Sequence, residues 1–199
     1  MKKFLIKENY TSNNLYVEIG KLNENEIREI SKGIKWTLNN YPTAVLIGGT
    51  ALVSYLSGGR DLTPDIDFMI NDVTKLKNLL DDQDILYKPL RDNNNNIIGI
   101  NVDEFNVDFL DANSNNLALN KLILSTYRQT IIGGGLVKII NPELLTIMKL
   151  ELGRDKDIKD GFALIQSGVL NKENYLKYLK MLKNTLFDYE SLVSYIEMF

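Results

Sequence analysis

Cysteine and histidine are both missing from this 199-residue chain, and tryptophan occurs once. Without cysteine there is no disulfide framework, thiolate zinc site, iron-sulfur cluster or cysteine nucleophile, and a reducing compartment is a natural setting. Without histidine there is no Ser-His-Asp triad, no paired-histidine zinc helix and no imidazole base. Acid-base or metal chemistry then falls to Asp, Glu, Lys, Tyr or Arg. A metal held by such groups is a hard cation of the magnesium or manganese type. No apolar run approaches the roughly 18 residues of a membrane helix. The opening MKKFLIKENY has only three consecutive apolar residues before Lys7, too few for a secretory signal, so a cytoplasmic protein is expected. A net charge of −3 argues against broad electrostatic attachment to nucleic acid.

What is present is an ordinary globular composition, 44% hydrophobic and 25% charged, in a chain long enough to bury a core without staples. Ile27, Ile30, Ile34 and Leu38 recur at helical steps, predicting an amphipathic helix over 24–38. Ala44 to Ile47 reads as a strand that runs into Gly48-Gly49, with helical spacing from Ala51 onward. A second strand is expected from Asp65 to Ile70 and a helix over 73–80. Asn93 to Asn96 marks a hairpin turn, because asparagine tolerates left-handed backbone angles. Strands over 97–102 and 105–110, separated by Asp103-Glu104, suggest an antiparallel pair. A helix over 117–127 and short strands around Gly133-Gly134-Gly135 follow. From Asn141, a candidate N-cap before Pro142, helical patterns continue to the end. The expected fold is α/β of the α+β kind, a mixed sheet with flanking helices. Its division would be an α/β domain at 1–140 and a helical region at 141–199.

Chemistry concentrates in Arg60-Asp-Leu-Thr-Pro-Asp-Ile-Asp-Phe-Met-Ile70. On a strand, Asp65 and Asp67 share one face while Ile66, Phe68 and Ile70 take the other. Neighbouring carboxylates repel, and a divalent cation with oxygen preference relieves the repulsion. The competing reading is a turn followed by a solvated strand edge. Asn106-Val107-Asp108-Phe109-Leu110 repeats the alternation, so Asp108 is preferred as a third carboxylate over its competitors Asp103 and Asp111. Gly48-Gly49-Thr50, between strand and helix, lets the backbone approach an anion where free amides and a helix dipole point outward. The aromatics Tyr175, Tyr178, Phe187 and Tyr195 have spacings suited to helix packing, and Trp36 to core or interface. Arg154, Asp155, Lys156, Asp157 and Asp160 have the spacing of local helix ion pairs. Lys172, Lys177, Lys180 and Lys183 read first as solvated lysines.

Taken in order, Leu46-Ile47-Gly48-Gly49-Thr50-Ala51, Arg60-x-x-Thr63-x-Asp65-Ile66-Asp67 and Val107-Asp108-Phe109 resemble the polymerase-beta-like nucleotidyltransferase superfamily. The Arg-x-x-Thr-x-Asp-Ile-Asp form is most similar to small bacterial members related to abortive-infection toxins and to minimal nucleotidyltransferases. The likeness continues into Asn141 to Asp160, where a helix carrying a lysine is followed by an Arg-x-Lys-Asp-x-x-Asp run, and covers roughly residues 44 to 160. The resemblance implies transfer of a nucleoside monophosphate from a nucleoside triphosphate, ATP among them, to a hydroxyl, with release of pyrophosphate. In that scheme Asp65, Asp67 and Asp108 hold two magnesium ions, or manganese. Asp108 also helps deprotonate the acceptor. Gly48, Gly49 and Thr50 hold the β- and γ-phosphates, Arg60 and Thr63 orient the acidic pair or touch the nucleotide, and Lys149 offsets phosphate charge. Two simpler roles compete: Lys149 as a solvated helix lysine and Arg60 as a partner for Asp61 or Asp65. The resemblance leaves the acceptor open among transfer RNA, protein and a small hydroxylated molecule, and suggests a toxin with a cognate antitoxin. The rival classes are a non-catalytic binding module of the same fold and a metal-dependent phosphohydrolase.

Overall fold

The computed structural model describes residues 3–8, 15–18, 24–56, 65–132 and 135–197. In chain order the first half comprises β1 (Lys3–Glu8), β2 (Leu15–Glu18), α1 (Glu24–Asn40), β3 (Val45–Ile47), α2 (Gly48–Tyr55), β4 (Ile66–Ile70) and α3 (Val73–Asp82). It continues through β5 (Lys88–Arg91), β6 (Ile97–Val102), β7 (Val107–Asp111), α4 (Leu117–Ser125), β8 (Tyr127–Ile132) and β9 (Gly135–Ile140). Four helices complete it: α5 (Pro142–Leu152), α6 (Asp155–Gln166), α7 (Lys172–Leu182) and α8 (Tyr189–Glu197). Among the described residues no helix is long and apolar enough to cross a membrane.

The strands form one mixed sheet in the order β2-β1-β8-β9-β3-β4-β7-β6-β5. β3 lies parallel to β9 and β4 parallel to β7, whereas the β3–β4 and β6–β7 pairs are antiparallel. A parallel neighbour needs a long crossover, and between β4 and β7 the chain spends that length on α3 and the β5–β6 hairpin. β3 leads directly into α2 and β4 returns antiparallel beside it. The C-terminal end of β3 and the N-terminal ends of β4 and β7 therefore meet at one end of the sheet.

Alternation assigns the two faces. Ile66, Phe68 and Ile70 of β4 and Val107 and Phe109 of β7 are fully buried on one face. There Phe68 stacks on Phe109 with centroids 6.0 Å apart, and Trp36 from α1 packs on Phe105 at 5.3 Å and edge-on to Phe109 at 6.1 Å. Aromatic pairs in this range are worth about 0.5–1.5 kcal/mol beyond the area they bury. Trp36 thus belongs to the core margin, as its sequence context suggests. α2 and α4 pack on β4 and both touch α5, and the buried side chains from Ile30 to Ile196 form one continuous hydrophobic core.

α2 is locked to the sheet by the Tyr55 hydroxyl, which donates to the Ile140 carbonyl at 2.6 Å. Buried Glu143 at the start of α5 accepts from the Asn171 amide at 2.9 Å and lies 3.6 Å from Arg128, joining β8, α5 and the start of α7. Asp72 caps α3 by accepting from the Lys75 amide, a contact of a kind worth about 1 kcal/mol.

Several elements differ from the sequence expectations. β1 and β2 were not foreseen, because four to six residues of weak alternation give no periodic signal. α2 starts at Gly48 rather than Ala51, so the glycine turn and the first turn of the helix coincide. α4 ends at Ser125 and β8 begins at Tyr127, where helical spacing predicts helix through Tyr127 and strand from Thr130. The Thr126 amide and hydroxyl both turn back to the Leu122 carbonyl and end the helix, and Tyr127 and Arg128 pair with Ile140 and Ile139. Asn141 occupies the N-cap position of α5, but its side chain donates to the Thr126 carbonyl instead of capping. Phe187, expected to pack, is 95% exposed, while Tyr175 is fully buried with its hydroxyl donating to the Leu192 carbonyl. Gly133 and Gly134 lie outside the described residues.

Candidate active site

The sheet end where β3, β4 and β7 meet is the floor of a cleft of about 430 Å³. Gly48, Gly49, Asp65, Asp67, Asp108 and Lys149 all line it. The antiparallel β3–β4 pairing sets Asp67 opposite Ile47, the last residue before the glycine turn. The parallel β4–β7 pairing sets Asp67 opposite Asp108, so the two carboxylates share one face across neighbouring strands. The sequence pattern put Asp65, Asp67 and Asp108 on compatible faces, and the register brings two of them side by side. Asp65 stands at the mouth just before β4, exposed, with its carbonyl accepting from the Thr50 hydroxyl at 3.2 Å.

Gly48 has a positive φ of +66°, and a Cβ there would lie 1.9 Å from Asp67 Oδ2. Glycine is required on both counts: the backbone angle is costly for other residues, and the carboxylate occupies the space of a side chain. A Gly48→Ala variant is expected to fold with a loss of about 2 kcal/mol and with Asp67 displaced. Denaturant unfolding and a triphosphate-binding measurement on the variant check this, and unchanged stability and binding would refute it.

Burial, followed by the carboxylates of Asp108 and Asp65, pushes the Asp67 carboxyl up to about 6, against an amide hydrogen bond from Gly49 and the positive charge of Lys149. Burial also raises Asp108; Asp65 and Asp103 add to this, while a hydrogen bond from Asn101 opposes it. Asn101 Nδ2 donates to Asp108 Oδ1 at 2.7 Å from the adjacent β6. It holds that carboxylate in place and was not singled out from the sequence. The available signal was a lone amide within the apolar run Ile97 to Val102.

Of the competitors for the third carboxylate, Asp111 also borders the cleft at the far end of β7, whereas Asp103 pairs with Lys88. Among the described residues no three acidic side chains make a finished set of ligands for one ion. Asp67 and Asp108 could hold a cation together only with oxygens from a ligand or water. Arg60 and Thr63 lie outside the described residues.

Lys149 reaches the cleft from α5, but the residue is only 6% exposed and its ammonium is already engaged. It donates to Asp157 Oδ1 at 2.7 Å and lies 3.1 Å from Asp160 Oδ2, both on α6. Arg154 Nε donates to the other oxygen of Asp157. Although burial opposes ionisation, the hydrogen bonds from Lys149 and Arg154 hold the Asp157 carboxyl below its ordinary range. The expected local ion pair forms between Arg154 and Asp157, three residues apart, but the weak surface character expected along 154–160 is corrected. Asp157 is wholly buried and Asp160 is 7% exposed, and they clamp a lysine of the preceding helix. Spacing along one helix cannot reveal a neighbouring helix that removes the run from water. Beyond this corner the cleft is bordered by Leu110, Leu119 and Met148 and by the amides of Asn115, Asn116 and Asn120.

The chain resembles a solved structure, an antigenic nucleotidyltransferase-like protein from Paracoccidioides brasiliensis, at 18% identity over 89% of this chain and 95% of that one, with a TM-score of 0.47. That overlap is too loose to transfer detail. No curated protein sequence matches it. A family model described as nucleotidyl transferase of unknown function (DUF2204) matches residues 25–199, a span that includes the glycine turn, the facing aspartates and the α5–α6 clamp. The chain belongs to that nucleotidyl transferase family.

Proposed function

We propose that this protein transfers a nucleoside monophosphate from a nucleoside triphosphate to a hydroxyl acceptor and releases pyrophosphate. The observation that carries the reading is the register setting Asp67 opposite Asp108 with Gly48 packed against Asp67, in a chain of a nucleotidyl transferase family. The donor set suits magnesium or manganese. Two facing carboxylates crowd like charge, and magnesium is commonly held by one or two carboxylates together with phosphate oxygens and water rather than by an all-protein cage. Asp67 and Asp108 would hold it, with Asp65 at the mouth for a second ion. Bound there, such ions neutralise phosphate charge and stabilise the leaving pyrophosphate.

The chain's own groups do the rest. In this reading the start of α2, where Asp67 takes the Gly49 amide and Thr50 fixes the turn against Asp65, offers its remaining first-turn amides and helix dipole to phosphate oxygens. The acceptor oxygen forms a bond to the α-phosphorus while the bond from that phosphorus to the α–β bridging oxygen breaks. Pyrophosphate leaves with the electron pair, and the acceptor proton passes to the Asp108 carboxylate, which Asn101 holds in line. Residues 1–140 supply the carboxylates and the glycine turn, and the helical region at 141–199 supplies the cationic wall. A cytoplasmic setting, where triphosphates and magnesium are abundant, fits the absence of cysteine.

The test is a thermal-shift screen of the wild type and Asp67→Asn with each of the four ribonucleoside triphosphates, with and without magnesium. A ligand that binds only the folded state raises its midpoint by mass action, about 2.7 kcal/mol at a hundredfold excess over Kd. A magnesium-dependent rise in the wild type that is absent in Asp67→Asn is the expected result. No rise with any triphosphate sinks the reading and favours a non-catalytic module. Release of phosphate without a labelled acceptor points to hydrolysis instead.

A further inference from the structure

Three cationic side chains border the cleft at the corner between α5 and α6: Lys149, Arg154 and Lys156. They differ in what already holds them. The Lys149 ammonium is buried between the carboxylates of Asp157 and Asp160, at 2.7 and 3.1 Å. A phosphate seeking it would have to compete with two carboxylates that cannot turn to water, since Asp157 is fully buried. Arg154 spends only its Nε on Asp157, and its side chain is 59% exposed. Lys156 is exposed and, among the described residues, has no ion-pair partner. Neither of the other carboxylates bordering this wall is paired with Arg154 or Lys156 among the described residues: Glu151 accepts from the Phe187 amide at 2.7 Å, and Asp111 accepts from the Asn113 amide at 2.9 Å.

Resting on the nucleotidyl-transfer reading, we propose that Arg154 and Lys156, rather than Lys149, receive the β- and γ-phosphates of the nucleoside triphosphate. Lys149 serves as the buried counter-charge that positions them. The Lys149-Asp157 pair fixes one carboxylate, and that carboxylate fixes the Arg154 guanidinium through Nε, leaving its terminal nitrogens to the cleft. A guanidinium held by one edge presents its remaining donors in a planar fork suited to phosphate oxygens, with little freedom left to lose on binding. Lys156 lies two residues further on, in the first turn of α6, where the helix dipole adds in the same sense. Asp157 and Asp160 answer the charge of Lys149 and one edge of Arg154, so the cationic hydrogen-bond donors this wall leaves to the cleft are those of Arg154 and Lys156.

The experiment compares binding of the four ribonucleoside triphosphates and the matching monophosphates, each with magnesium, to the wild type, Arg154→Ala, Lys156→Ala and Lys156→Glu. The wild type is expected to prefer the triphosphate. Each alanine variant should lose about five- to tenfold of triphosphate affinity, as charge-assisted hydrogen bonds in a wet cleft do. Monophosphate affinity should stay within about twofold, and the salt dependence of triphosphate binding should become shallower. Lys156→Glu should lose more. Because Lys156 is exposed and has no hydrogen bond or ion pair of its side chain among the described residues, its variants should melt with the wild type, so a loss there is not a folding defect. A wild type that prefers triphosphate while all three variants keep that preference within twofold overturns this inference alone. A wild type that binds no triphosphate overturns the transfer reading and this inference with it.

Discussion

At pH 7.5 in EDTA, Asp67→Asn is expected to melt higher than the wild type and, once magnesium is restored, to have lost triphosphate binding by two orders of magnitude or more. The two effects share one cause. In the folded protein the Asp67 carboxyl is pushed up to about 6 by burial and by Asp108 and Asp65, whereas unfolded it returns to the ordinary aspartate value of 3.8. A group whose pKa rises on folding contributes stability that is fully present below its unfolded value and is lost as pH rises through its folded value. The wild type should therefore weaken between about pH 4 and pH 7, by about 1–3 kcal/mol from this residue. Asparagine is uncharged and still accepts the Gly49 amide through its Oδ1, so the variant loses that slope and gains the difference at neutral pH. For a chain this long each kcal/mol moves the midpoint by roughly 2–4 °C. Melting curves at pH 4.5, 6 and 7.5 in EDTA decide it: a variant that is less stable than the wild type at pH 7.5 refutes the argument. Triphosphate with magnesium should reverse the ranking, because a charge repelled in the empty cleft is the charge a cation needs.

Lys149→Met is expected to destabilise by about 3–5 kcal/mol, a large share of the 5–15 kcal/mol that holds a typical domain together. Methionine fills a similar volume, so the loss is not a cavity. It is the removal of the buried ammonium that Asp157 and Asp160 both face, which leaves Arg154 alone to answer the buried Asp157. The signature is non-additivity. Lys149→Met combined with Asp157→Asn and Asp160→Asn should recover a substantial part of the single variant's loss, because no uncompensated buried charge remains. Urea unfolding of the single and triple variants checks it; a triple variant as unstable as the summed singles would show that the lysine contributes through packing alone. Acid acts on the wild type through the same cluster. Asp157 is held below its ordinary range, so its contribution stands above that range and fades as pH falls through the folded value, opposite in sign to Asp67.

Some of this was legible in the chain because it is local. A strand's two-residue period places Asp65 and Asp67 together from sequence alone, and the same alternation marks Asp108 between Val107 and Phe109. Gly48-Gly49 after an apolar run announces a turn into a helix. The absence of cysteine and histidine by itself leaves oxygen ligands and cationic side chains as the chemistry available. Tertiary structure decided what depends on partners distant along the chain. The parallel register of β4 on β7 puts Asp67, not Asp65, opposite Asp108, and no local pattern specifies a register across the long crossover from Ile70 to Val107. Asn101 becomes a partner of Asp108 only because β6 pairs with β7. Arg154, Asp155, Lys156, Asp157 and Asp160 read as one run of local helix ion pairs, yet α5 covers Asp157 and Asp160, which become a buried clamp, while Arg154 and Lys156 face the cleft. The sequence determined which groups exist and which face each takes; the packing of α6 on α5 determined which charges meet water, since desolvation belongs to the neighbour that covers a side chain and not to the chain that carries it.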